Sequence, residues 1–256
     1  MAIILNIETS TPVCSVALAE NDNILALRES SEEKSHAGNL AVFIAEILNE
    51  KKISVKDLDA VAIGKGPGSY TGLRIGVATA KGLAYGAKIP LIAVSTLETM
   101  VRFALQKMEI EKLPIPLNAN TILCPMLDAR RMEVYMAQFN SSGKRLENET
   151  AVVIRSDTFS SILTSHSIVF FGSGASKCRD MITQKNAYWI EGIYPSTTAM
   201  AAQSYRLFHE GCYEDIAYFE PHYLKDFITT ASRKNQFHGQ AKKKVKMNVL
   251  IRMAGL

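Results

Sequence analysis

Short apolar runs broken by tight-turn residues open the chain. Ile3 to Glu8, Val13 to Ala19 and Ile24 to Glu29, separated by Thr9-Ser10-Thr11-Pro12 and Asn21-Asp22-Asn23, predict three strands of an antiparallel meander. From Ser35 to Lys51 the period becomes helical, and Asp59 to Gly64 carries a short apolar strand that ends in glycine. Thr71 to Ala87 predicts a second helix, Leu91 to Val94 a buried strand and Ser95 to Lys107 a third helix with Ser95 as N-cap. Leu113-Pro-Ile-Pro-Leu-Asn-Ala-Asn120 breaks regular structure and reads as a linker. Beyond it, 121–127 and 132–139 alternate like strands, and a further strand pair runs from Gly143 to Ile154. Ser156 to Leu163 predicts a helix, Ser167 to Phe171 a strand, Ala175 to Thr183 a helix and Thr197 to Glu210 a last helix. The shared order of strands, helix and strand suggests a duplicated α/β architecture, divided into domains 1–107 and 108–228, with a basic tail over 229–256.

Two helical patterns carry more than fold information. Between Ala37 and Leu48, nine of twelve residues are apolar, so that helix is greasy nearly all round rather than on one stripe. A third internal layer, a partner protein or a second copy must cover its outer face. The helix from Thr71 sets Gly72, Gly76, Ala80 and Ala84 at i, i+4, i+8 and i+12. That ridge lets another helix approach closely, or packs inside the monomer.

Charge narrows the partners. All seven Lys/Arg after Asp226 lie in a stretch without Asp or Glu, and without them 22 basic residues face 25 acidic ones, leaving a body at about −3. The body therefore makes no bulk electrostatic claim on nucleic acid. The basic tail reads first as a solvated terminus, with contact to RNA as the alternative. No apolar run approaches the roughly 18 residues of a membrane helix, and the start has neither a basic region nor a cleavage site. A cytoplasmic protein without membrane contact is the expectation. Four scattered cysteines encode neither a zinc knuckle nor a disulfide framework and read as apolar fillers.

Candidate chemistry is thin. Gly64 to Gly76, between strand and helix, allows positive φ and offers a helix N-terminus to an anion, yet it lacks the spacing of a P-loop or a dinucleotide fingerprint. A tight corner is the commoner role of such a turn. Asp128 at a charged hairpin and Gly172-Ser-Gly174 after a strand, together with Glu8, are the candidate nucleotide contacts. No nucleophile elbow and no pair of histidines at i, i+4 is present, so no catalytic residue, metal ligand or cofactor is assigned.

Ile7-Glu-Thr-Ser-Thr11, the loop Gly66, Pro67, Gly68, Ser69, Tyr70, Thr71, Gly72 with its continuation to Gly76, and Asp128-Ala-Arg-Arg-Met-Glu-Val-Tyr135 together resemble the TsaB (YeaZ) family over residues 1 to 228. The resemblance implies an α/β, duplicated actin-like ATPase (ASKHA, ribonuclease H-like) two-domain fold. It also implies an accessory role in placing threonylcarbamoyl on adenosine 37 of tRNA, beside a TsaD-type catalytic subunit and a TsaE-type ATPase, with tRNA met only within the complex. Helices 36–51 and 71–87 would form the surface for TsaD or for a homodimer, through His36, Leu40, Phe43, Ile44, Ile47, Leu73, Arg74 and Val77. Where TsaD-type chains carry two metal-binding histidines, this chain has Thr96 and Met100, neither a usual ligand for a hard or borderline divalent metal. An independent ATP-using kinase or a metallopeptidase of the same superfamily is the alternative.

Overall fold

The computed structural model describes residues 1–31 and 36–225, the side chains of His36 and Ala37 excepted. The tail expected over 229–256 lies outside the described residues.

The opening meander forms as patterned: β1 (Ile3–Glu8), β2 (Cys14–Glu20) and β3 (Asn23–Ser30) pair antiparallel in sequence. After α1 (His36–Lys51), the chain adds β4 (Ala60–Gly64) parallel to β1. Helix α2 (Tyr70–Ala87) follows, then β5 (Leu91–Val94) parallel to β4, giving the order β3-β2-β1-β4-β5. Strands β1 and β4 are buried almost throughout because helices cover both faces of the sheet, which explains their continuous apolar runs. Helices α1 and α2 lie side by side on one face.

Helix α3 (Thr96–Glu111) leads through the linker into the second sheet. There β6 (Thr121–Asp128), β7 (Glu133–Met136), β8 (Phe139–Asn140), β9 (Thr150–Val153), β10 (Ser167–Phe171) and β11 (Ala187–Ile190) give the order β11-β10-β6-β7-β9, with β8 beside β6. Reading β6, β7, β9, β10 and β11 for β1 to β5, the order and the parallel or antiparallel sense of every pair repeat the first sheet. The expected duplicated α/β fold is present.

Each sheet has its own core. Leu97, Met100, Val101 and Ala104 of α3 pack on Leu123, Phe139, Val169 and Phe171. The opposite face is covered by Phe159, Leu163, Cys178 and Ile182, with Trp189 stacked on Phe170 at 4.8 Å between ring centroids. Helix α4 (Thr197–His209) turns back, setting Met200 on Ile4, Ala62 and Ile92 of the first sheet. Met1–Lys225 is one compact unit.

Four expectations differ locally. Of the strand pair expected from Gly143 to Ile154, only β9 (Thr150–Val153) forms, with Arg145 making a single bridge to Phe139. Residues 156–163 and 175–183 form turns with single 3₁₀ segments at Ile162–Thr164 and Ser176–Cys178; in segments this short, the packing of Phe159, Leu163, Cys178 and Ile182, and not helix propensity, sets the backbone. Strand β11 escaped the pattern, its four residues being too short to show alternation. Of the cysteines, Cys14, Cys124 and Cys178 are the buried fillers expected, whereas Cys212 is exposed.

Candidate functional site

Glycine-rich residues 64–72 lie across the carboxyl end of β1. Ser69 N–H donates to Ser10 O at 2.6 Å, Thr9 Oγ1 donates to Gly72 O at 2.9 Å, and Thr96 N–H donates to Gly66 O at 3.0 Å. Approach is close enough that side chains are excluded: a Cβ on Gly64, Gly68 or Gly72 would fall 2.1, 2.2 and 2.1 Å from Glu8 Oε2, Ser10 O and Thr9 O. Gly66 takes φ +104°, open to a residue without Cβ. Ser69 caps α2 by accepting from Gly72 N–H at 3.2 Å. Gly68 and Gly72 press on the chain's own backbone and Gly64 on the Glu8 carboxyl, as a tight corner requires.

Glu8 sits beneath this loop with none of its surface exposed. Its Oε1 accepts from Ser10 N–H at 2.7 Å and its Oε2 from Thr96 Oγ1 at 3.1 Å. Burial pushes the carboxyl above the usual carboxylate range, opposed by the hydrogen bonds from Ser10 and Thr96. A carboxylate so enclosed does not reach a nucleotide, which corrects its candidacy as a contact. Thr96 and Met100 are likewise wholly buried, the first bound to Glu8 and the second in the α3 core. No group of three or more His, Cys, Asp or Glu side chains that could hold a metal ion occurs among the described residues. Burial, with Glu8 second, lifts the Cys14 thiol to about 11, so it is no ready nucleophile.

Asp128 ends β6 as Glu8 ends β1, but faces solvent. It pairs with Lys177, accepts from Arg130 N–H at 2.9 Å, and its own N–H donates to Ser173 Oγ at 3.2 Å. The structure thus brings Asp128 to the Gly172-Ser-Gly174 turn and leaves Glu8 apart. Gly172, at φ +101°, borders a cavity of about 470 Å³ with Ser173, Ser176, Arg179 and Trp189.

Residues 214–225 form a strap that pattern reasoning passed over, because it has no regular structure. Lys81 Nζ holds it by the carbonyls of Ala217 and Phe219 at 3.2 and 3.0 Å. His222 N–H donates to Lys65 O at 2.8 Å, and the Tyr223 ring meets Tyr70 at 5.0 Å, beside Arg74. His222 Nδ1 also lies 2.8 Å from Glu149 Oε2. Glu149 is almost fully buried and further held by Ser95 Oγ and by Arg145 at 3.0 Å.

The helix surface differs from the expected set. Leu40, Ile44, Ile47, Leu73 and Val77 are between 0 and 5% exposed; Leu40, Ile44, Ile47 and Val77 belong to the first sheet's own core, Leu73 lies against Gly66, and Phe43 packs partly against the core. Their i, i+3, i+4 spacing points them at the sheet, so these five cannot form an outer contact. Gly72, Gly76, Ala80 and Ala84 face inward too, the packing role foreseen as one option. Of the expected set only Arg74 lies outside, and the side chain of His36 is not among the described ones; α1 and α2 also leave outside Gly38, Ala41, Val42, Ala45, Glu46, Asn49 and Glu50, with Thr71, Ala78, Gly82, Tyr85 and Gly86. Nothing stands within 4 Å of where a Cβ on Gly38, Gly82 or Gly86 would be.

Residues 23–229 match the family model described as TsaD, tRNA N6-adenosine threonylcarbamoyltransferase. The tRNA threonylcarbamoyladenosine biosynthesis protein TsaB of Escherichia coli (strain K12) is 32% identical over 231 residues, 88% of this chain and 95% of that protein. The protein of the same name from Haemophilus influenzae is 35% identical over 135 residues, 53% of this chain and 52% of that one. Among solved structures, YeaZ from Pseudomonas aeruginosa superposes with a TM-score of 0.70 at 24% identity, covering 88% of this chain and all of the other, and so shares the fold.

Proposed function

The chain belongs to the TsaB (YeaZ) family of tRNA threonylcarbamoyladenosine biosynthesis proteins, and from that premise we propose that it is an accessory subunit without catalysis of its own. It binds and activates a TsaD-type transferase, together with a TsaE-type ATPase, in the cytoplasm, for modification of tRNAs reading ANN codons. The observation that carries this reading is the outer face of α1 and α2. There the exposed Gly38, Ala41, Val42, Ala45, Ala78, Gly82 and Gly86 are small enough for a neighbouring helix to come close, with Arg74, Glu46, Glu50 and Tyr85, at 77% exposure, also outside. Sealed Glu8, buried Thr96 and buried Met100 favour the same reading, since the positions of interest for chemistry are taken up by packing.

Gel filtration with the cognate TsaD-type protein tests it. Co-elution is expected for the wild-type chain and loss of the complex for Val42→Asp and Ala78→Glu, with circular dichroism of both variants unchanged. Transfer activity should need both proteins and the ATPase; turnover by this chain alone would sink the accessory reading. A homodimer through the same face is the competing use of that surface, distinguished by the mass of the chain eluting alone.

A further inference from the structure

Glu149 is a carboxylate with 1% of its side chain exposed, and its two oxygens are matched unequally. Oε1 accepts from Ser95 Oγ and from Arg145 at 3.0 Å, and the same guanidinium also holds Glu98 at 2.9 Å. Oε2 makes no hydrogen bond among the described residues; what faces it is His222 Nδ1, at 2.8 Å. A buried carboxylate oxygen without a hydrogen bond is costly, and an imidazole beside it offsets that cost in full only when it carries a positive charge. The other charged groups nearby are engaged elsewhere: Lys225 with Glu133, Glu147 with Gln138 at 2.9 Å, and Arg145 with its two glutamates. Lys65 meets the strap through its carbonyl, and Glu220 stands two residues before His222. The charge that answers Oε2 is therefore that of His222, whose side chain is 43% exposed and open to protons from solvent.

His222 is also where the strap crosses from one sheet to the other. The strap begins at Glu214, whose N–H donates to Leu91 O of β5 at 2.8 Å, is held to α2 by Lys81, and ends at Lys225 on Glu133 of β7. The residue after His222 reaches the outer face of α2: the Tyr223 ring meets Tyr70 at 5.0 Å, and the Arg74 guanidinium lies 4.9 Å over the Tyr70 ring. The Arg74 charge acts on the Tyr223 hydroxyl, against the upward push of its burial. We propose that His222 is a proton-operated latch on the partner face. While the imidazolium faces Glu149, the strap is held down and Tyr223 keeps Tyr70 and Arg74 in place. As the proton leaves, the ion pair is lost, the strap loosens and that end of α2 loses its order. Histidine is the side chain whose charge changes between about pH 5 and pH 8, so the latch closes on the acid side and opens as pH rises. The inference rests on the accessory role above for the partner alone.

The test is amide hydrogen exchange of the full chain, corrected for the intrinsic pH dependence of exchange, beside affinity for the TsaD-type protein, both at about pH 6 and about pH 8. In the wild type, protection of the His222 amide, which donates to Lys65 O, should be about fivefold higher at the acid end, and Kd for the partner about fivefold lower. His222→Gln stays polar but cannot take up the charge, and should flatten both responses; the partner's own titrating groups cancel in the comparison. Tyr223→Ala should keep the change in protection and lose the change in Kd. Wild-type protection that does not vary with pH overturns the latch. Protection that varies while Kd moves in parallel for wild type and His222→Gln overturns its link to the partner face. No complex at either pH would count against the accessory role and remove that link, and the latch would then stand or fall on protection alone.

Discussion

Gly72 shows how little room the loop at the end of β1 leaves. A methyl group there would meet the carbonyl oxygen of Thr9 at 2.1 Å, and backbone cannot yield as a flexible side chain can. Gly72→Ala should therefore cost roughly 2 kcal/mol or more in urea denaturation, although alanine is the better helix former. Beneath the same loop, Glu8 has a raised pKa in the folded chain. Stability from this group is present in full below the unfolded glutamate value of about 4.3 and is lost as pH rises through the folded value. Glu8→Gln should remove that part of the pH dependence, so the stability difference between variant and wild type should shift in the variant's favour from acid to neutral pH. A parallel pair of curves would contradict the assignment. Nothing in the sequence distinguished Glu8 as sealed rather than poised in a cleft, because the residues that enclose it, Gly64 and Thr96, are distant in the chain and meet it only in the folded sheet.

Helix α1 illustrates what periodicity reveals and what it hides. That the segment is a helix with an apolar excess was legible, as were the four described α-helices and the first five strands, since long, regular patterns and the Ser95 cap mark them. Which apolar residues face outward was not. In a helix this greasy, large Leu and Ile side chains draw attention, but they are the ones the sheet buries, and the apolar residues left on the free face are Ala41, Val42 and Ala45, beside Gly38, Glu46, Asn49 and Glu50. Ile44→Asp should accordingly unfold the chain, with a loss of about 4 kcal/mol or more from placing a charge in the first core, whereas Val42→Asp, two residues away and 50% exposed, should shift stability by only about 0.5 kcal/mol. Chemical denaturation of the two side by side reads the orientation of the helix directly. The weak spots of the reading were the short pieces: segments 156–163 and 175–183 and strand β11 are set by the second sheet's packing and not by local preference.

Across the whole molecule, the linker at 113–120 and the repeated strand order foretold two similar sheets, and both are present. The connection between them was invisible, because it depends on polar contacts between distant residues. Ser15 Oγ lies 2.6 Å from Thr197 Oγ1, and Ser196 donates to Glu29 at 2.6 Å, tying α4 to the opening meander. Arg145 reaches both Glu98 and the enclosed Glu149. Arg145→Ala would leave Glu149 with only Ser95 and His222, and should destabilise the folded chain by about 1–3 kcal/mol, measured as a lower urea midpoint with an unchanged slope. A changed slope would mean instead that the two sheets had ceased to unfold together.

The stacking of Trp189 on Phe170 gives this chain an internal optical probe. It is the sole tryptophan, and it lies entirely within the second sheet. Its emission therefore reports on that half alone, while far-ultraviolet dichroism averages over both, so superimposable transitions by the two signals mean one cooperative unit, and an early loss of emission would isolate an intermediate in which the first sheet still stands.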